Sequence, residues 1–174
     1  MYHLIHATNY IFIKHIIKDM CLKSNKITKN ISQGSGQYEN GASSFVYFGV
    51  SNKLFHPGAI GQVIIYFSSD AIKNKTIYVA DYHAADPMQT KKYKKDIDKN
   101  KIYKHLYEKS IRSNNSKYFN IYQQIAVKNS VKLNGFLTGI DFVVKNINDL
   151  RKVVKIIAYI KKIIDVPVNI REFL

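Results

Sequence analysis

Between Ser44 and Asp81 three β-prone runs follow one another, SFVYFGV, GQVIIYFSS and KTIYVAD, with HPGAIG breaking the first two apart. Runs this rich in Val, Ile, Tyr and Phe, punctuated by Gly, Pro and Ser, read as strands. A chain whose middle holds short strands in close succession must build a sheet there, and IYQQIAV and GIDFVV supply two more strands further on. YHLI (Tyr2–Ile5) reads as a short opening strand. Helical periodicity shows at two places. Ile13, Ile16, Ile17 and Met20 recur with Lys14 and Lys18 outside; from Asn148, Leu150, Val153, Val154, Ile157, Ile160 and Ile164 form a stripe opposite Lys152, Lys155, Tyr159 and Lys162. Pro167 ends that second helix, and VPVNIREF closes the chain as a strand. The expected class is α+β: mostly antiparallel strands, with helices near the N- and C-termini. At 174 residues the chain is sized for a single domain, 1–174.

Forty-six per cent hydrophobic residues, nine Phe and thirteen Tyr among them, allow a proper core rather than a disordered chain. No apolar run reaches the roughly 18 to 20 residues that span a bilayer, and His, Asn, Lys and Asp interrupt the N-terminal stretch, which argues against a signal peptide or a membrane anchor. The single cysteine, Cys21, forms no internal disulfide and no CxxC metal knuckle. It fits a reducing compartment, cytoplasmic or, in a eukaryote, nuclear. The net charge of +15 makes nucleic acid the first partner to consider, although an AT-rich genome produces the same abundance of Lys, Asn, Ile and Tyr. Distribution says more. Lys91 to Lys117 holds ten Lys or Arg against three acids, interleaved with Tyr93, Tyr103, Tyr107, Tyr118 and Phe119. Cations and aromatic faces are what single-stranded nucleic acid requires; a solvated connection with its tyrosines tucked inward has the same composition.

Several constellations carry chemistry. His6-Ala7-Thr8 matches one H-x-T unit of two-histidine phosphoesterases, but His83-Ala84-Ala85 lacks the hydroxyl a second unit needs. Asp81, His83 and Asp86 are metal-ligating types without a third or fourth partner elsewhere, and a turn capped by Asp81 explains them better. The Gly-Ser-Gly at 34–36 is not a phosphate loop, because no strand leads in and no Gly-Lys-Ser/Thr follows.

Taken in order, these pieces resemble the DarT-type ADP-ribosyltransferases. YHLIHATN resembles that family's first strand, with Tyr2, His3, His6 and Asn9 in its Tyr-His-x-x-His pattern and following Asn, and a short helix comes next, as there. FVYFGVSNKLF (Phe45–Phe55) resembles the family's aromatic strand and bend, and GQVIIYFSS its next strand. VADYHAADPMQTKKYKKDID is similar to the small-residue turn that leads into a Thr, an aromatic and an Asp. YQQIAVKNSVKLNGFLTGIDF looks like the strand that carries the catalytic residue, and VPVNIREFL resembles the closing strand. The likeness runs through almost the whole chain. It departs at two points: Gln124 stands where the family places a glutamate before the hydrophobic triplet, and only Lys23, Lys26 and Lys29 offer charge where the family has an NAD-contacting arginine.

The resemblance implies a compact ADP-ribosyltransferase domain that uses NAD and modifies a nucleobase of single-stranded DNA. It implies catalytic roles for Gln124, His3 and Tyr47, and cofactor contacts from His3, Asn9, Tyr47 and Phe48, with an aromatic ring stacked near nicotinamide. His83 in the D-x-H-A-A turn would wall the acceptor site, and Lys91, Lys92, Lys94 and Lys95 would track the nucleic-acid strand. An antitoxin or hydrolase partner is implied too, and no membrane. With Gln124 in place, the chain is either a slowed transferase or a non-catalytic nucleic-acid-binding relative, and Glu39 and Glu108 are the acids available to substitute.

Overall fold

The computed structural model describes residues 2–24, 44–56, 59, 61–79, 91–93, 98–112 and 125–172, with backbone alone at 110–112. The strands are β1 (His3–Thr8), β2 (Cys21–Lys23), β3 (Phe45–Ser51), β4 (Val63–Ser68), β5 (Ile77–Val79), β6 (Lys91–Tyr93), β7 (Ile125–Lys128), β8 (Ser130–Lys132), β9 (Leu137–Val144) and β10 (Val168–Glu172). The helices are α1 (Tyr10–Asp19), α2 (Lys99–Arg112) and α3 (Ile147–Ile160). Among the described residues, eight strands form a sheet in the order β10-β9-β4-β1-β3-β7-β5-β6, and β2 pairs with β8 beside it. Every pairing is antiparallel except β9 with β10. Parallel neighbours need a long crossover, and α3 is that crossover. The α+β class expected from the sequence is the class observed.

One face of the sheet is buried under the helices. Leu4, Phe48, Val50, Val63, Ile65, Phe67, Ile125, Val127, Ile140 and Phe142 pack there against Ile13 and Ile17 of α1, Tyr103, Leu106 and Tyr107 of α2, and Val153, Ile156 and Ile160 of α3. Strand alternation sends Ile5, Tyr47, Ile64, Tyr66, Ala126, Asp141 and Val143 to the opposite face.

The folded chain departs from the sequence reading, or sharpens it, at three places. The stripe of the C-terminal helix included Val154, which is 55% exposed, and omitted Ile156, which is buried. The basic run after Lys91 is no mere connection: Tyr103, Leu106 and Tyr107 lie at helical spacing on the buried side of α2, so the inward reading holds for these two tyrosines. Lys99, at the start of α2, is buried, its Nζ donating to the carbonyls of Ile72 (3.2 Å) and Lys73, so this cation closes the end of the 3-10 turn Ser69–Ile72.

The sheet is a composite of two halves joined by β3. The Ser51 end of β3 pairs with β1, His3↔Ser51 to Ile5↔Gly49, whereas the Phe45 end pairs with β7, Phe45↔Lys128 to Phe48↔Ile125. β1 stays with β4 along its full length, from His3↔Ser68 to Thr8↔Val63. Beyond Ile5, β1 and β3 therefore part, and a split opens between β10-β9-β4-β1 and β7-β5-β6.

Candidate active site

The split is where the fold interrupts a continuous ladder, and polar side chains gather around it. His6 lies at the divergence, its Nδ1 3.0 Å from the carbonyl oxygen of Tyr47. A carbonyl only accepts, so Nδ1 carries the proton and Nε2 keeps its lone pair. Burial pulls the His6 pKa below the usual histidine value, against the opposing effect of that hydrogen bond, which keeps the ring neutral. This imidazole bridges the two parting strands and packs 6.0 Å from the Phe48 ring. Asn9 follows β1 as the N-cap of α1; its carbonyl accepts from Phe12 N (3.1 Å), and its exposed side chain makes no cap bond. Gln62 Oε1 accepts from Tyr10 N at 3.2 Å, tying the start of α1 to the segment before β4.

The residues expected to act together separate into groups. His3 and Tyr47 occupy the same face, but the register puts His3 opposite Ser51, four residues along β3 from Tyr47, about 13 Å at the usual strand rise. His3 Nδ1 lies 3.2 Å from Thr138 Oγ1, and burial, then the N-terminal ammonium, lowers its pKa. Tyr47 and Asn9 lie instead toward the open end of the split. Phe48 is a correction: it is wholly enclosed on the helix face, edge-on to Phe67 at 5.2 Å, so its ring is core and has no surface to offer a nicotinamide. Lys91 and Lys92 lie on the edge strand β6 and point to opposite faces, Lys91 toward the Tyr93 ring (5.5 Å) and Lys92 toward the Tyr78 ring (6.0 Å). Glu108 faces Lys104 at 3.9 Å on the surface of α2. Gln124, His83, Lys94, Lys95 and Glu39 lie outside the described residues, as do Asp81 and Asp86; among the described residues no group of His, Cys, Asp or Glu gathers as metal ligands.

Two features were not anticipated. The His6 bridge lay inside the H-x-T unit that suggested a phosphoesterase; period-two alternation from His3 and Ile5 would have separated it from them. The second is a depression of about 280 Å³ on the far half-sheet, lined by Lys75, Thr76, Tyr78, Lys92, Val127 and Lys128. Its signal was the same alternation, since Tyr78 on one strand and Ala126 and Lys128 on another fall on the face that carries Tyr47.

By sequence the chain matches no protein-family model and no curated protein. Its fold, however, is that of DarT structures. DarT of Thermus sp. 2.9 in complex with NAD+ superposes with a TM-score of 0.61 at 14% identity, over 97% of this chain and 94% of that one. The same protein in complex with ADP-ribosylated ssDNA gives 0.59 at 15% identity, over 97% and 93%. Thermosipho africanus DarTG in complex with ADP-ribose gives 0.52 at 14% identity, over 96% of this chain and 49% of that one. A likeness end to end at this identity is a likeness of fold.

Proposed function

We propose that the chain is a DarT-like ADP-ribosyltransferase that takes NAD in the split between β1 and β3 and transfers ADP-ribose to a nucleobase of single-stranded DNA, at a rate reduced by Gln124. The observation that carries this reading is the divergence of β1 from β3 with Tyr47 and Asn9 at its open end, inside a fold similar over 97% of the chain to a protein in complex with NAD+. Where two strands part, their facing backbone edges no longer serve each other and can meet a flat amide such as nicotinamide, while an aromatic side chain on the adjoining face offers a stacking surface.

In the reaction the ribose–nicotinamide bond breaks through an oxocarbenium-like transition state, nicotinamide leaving with the bonding pair; a nucleobase nitrogen supplies the pair for the new bond and its proton passes to water. The chain's part is to orient and to stabilise positive charge. Tyr47 is proposed as the ring beside nicotinamide, Asn9 as a polar contact at the mouth, and His3, neutral at pH 7, as a hydrogen-bonding group for ribose hydroxyls at the other end of β1. Gln124, immediately before Ile125 in sequence, donates and accepts hydrogen bonds but brings no charge. Losing one preorganised electrostatic group typically costs about 10²- to 10³-fold in rate. An antitoxin or hydrolase partner that removes the modification belongs to the same proposal, prompted by the likeness to DarTG.

The test is incubation with NAD and single-stranded oligonucleotides followed by product mass. Gln124→Glu should raise transfer or NAD hydrolysis by about 10²-fold. Equal inactivity of both forms while each binds NAD would favour the non-catalytic nucleic-acid-binding relative, the reading that Gln124 itself suggests.

A further inference from the structure

Tyr47 does not stand alone on its face. Its register partner across β7 is Ala126, the partner of Ala126 across β5 is Tyr78, and that of Tyr78 across β6 is Lys92. Tyr47, Ala126, Tyr78 and Lys92 thus form one row at right angles to the strands, about 14 Å long at the usual strand spacing. Ala126 is the low point between two rings. Phe45 stands edge-on to Tyr78 at 5.1 Å and fixes its orientation. Around Tyr78 the depression is ringed by ammonium groups from three elements: Lys75 ahead of β5, Lys92 on β6 and Lys128 on β7, which returns to this face two residues past Ala126. Among the described residues no carboxylate pairs with any of the three.

We propose that this surface is a subsite for single-stranded nucleic acid, with one base laid on the Tyr78 ring and Lys75, Lys92 and Lys128 holding the phosphates that flank it. A partly exposed ring on a concave floor offers a π-face to any base, and three rim cations that no carboxylate among the described residues pairs with match a backbone that carries a charge at every nucleotide. A polyanion with planar groups satisfies both features; a protein partner would use the charge and leave the ring unexplained. A duplex keeps its bases stacked inside and reaches only the lysines. The subsite rests on the transferase reading in one respect: the row leads to Tyr47, so the base on Tyr78 belongs to a nucleotide neighbouring the acceptor. Its binding does not need NAD.

The experiment is fluorescence anisotropy of a labelled short oligothymidylate over a series of salt concentrations. The triple variant Lys75→Gln, Lys92→Gln, Lys128→Gln should bind about tenfold or more weakly at low salt and flatten the logarithmic salt slope by about 2, the release expected for three phosphates of a single strand. Tyr78→Ala should weaken binding about tenfold with the slope intact, and Tyr78→Phe should bind as wild type, since stacking requires the ring and not the hydroxyl. A charge control, Lys152→Gln, Lys155→Gln, Lys162→Gln on the exposed side of α3 and the turn after it, should keep the wild-type slope. Equal flattening by both triples would overturn the subsite, because the attraction would then belong to the net charge alone. So would equal affinity of Tyr78→Ala and Tyr78→Phe, or duplex binding as tight as single-strand binding. A calorimetric NAD titration on the same proteins separates this outcome from the fate of the transferase reading: NAD affinity should be unchanged by the lysine triple, loss of NAD binding in wild type would remove the transferase but leave the strand site, and a slope indifferent to the three lysines would do the reverse.

Discussion

On the face away from the helices, Tyr66 in the first half-sheet is completely enclosed, with Phe55 edge-on at 5.7 Å and Leu54 and Ala59 closing over Ile5, Ile64 and Val143. Tyr78, the corresponding ring in the second half-sheet, is only partly buried, beside three lysines. The first half-sheet is sealed further by a buried charge network. Asp141 is fully buried, with Arg171 Nε 2.8 Å from Oδ2 and Asn169 donating to Oδ1 at 3.0 Å, and Arg171 also donates to the Ala59 carbonyl, so the closing strand β10 clamps the covering segment in place. The contrast teaches a division of labour: one half-sheet spends its outer face on rigidity, the other leaves rings and cations where a ligand can reach them. Substitutions in the first should therefore register as stability, and substitutions in the second as binding.

The largest break in that comparison should come from Arg171→Leu. It leaves the Asp141 carboxylate buried with Asn169 as its polar contact, and removing one member of a buried pair costs about 3–5 kcal/mol. Urea unfolding at pH 7 measures the loss; a change below about 0.5 kcal/mol would mean that β10 is not a clamp. Next comes the pH response of the same region. Burial foremost, with Lys53 and Arg171 nearby, holds the His56 pKa down to about 4. The unfolded chain therefore takes up a proton that the folded chain refuses between about pH 6.5 and 4, and stability present above pH 6.5 falls as the pH drops through that window, by up to about 3 kcal/mol. Replacing His56 with Gln should flatten this part of the pH–stability curve, and an unchanged curve would mean that His56 titrates normally. Smaller again is Gly61→Ala. A Cβ at Gly61 would come 2.9 Å from the Ala7 Cβ, where the covering segment crosses β1, and the backbone there has φ +155°, so crowding and strain together should cost about 1–3 kcal/mol while binding of single-stranded DNA stays as in wild type. A thermal melt beside an anisotropy titration checks both halves of that statement.

The strands that matter most were readable because they are apolar runs with clear breaks: β3, β4 and β9 appear where FVYFGV, VIIYF and GIDFVV stand. Their partners were not readable, since nothing in VNIRE distinguishes a parallel edge strand from an antiparallel one, and β2 and β8 at three residues each are too short to show a period. Lysines dominate α2 and mask its period, although Tyr103, Leu106 and Tyr107 carry the i, i+3, i+4 spacing of a buried face. Of the site, residue types could be named, but the split could not, because it exists only in the register of β3 with two different neighbours. That is also why Phe48 seemed equivalent to Tyr47: adjacent strand residues look alike in a sequence and stand on opposite sides of a sheet.

The central claim is that the split between β1 and β3 holds NAD, and calorimetric titration of NAD into the wild-type chain tests it most directly. Saturable binding that weakens about tenfold in Tyr47→Ala, and is retained in Tyr47→Phe, is the expected result, since the ring supplies stacking of about 1 kcal/mol or a little more. No heat of binding in the wild type, or binding indifferent to the loss of the Tyr47 ring, would contradict it.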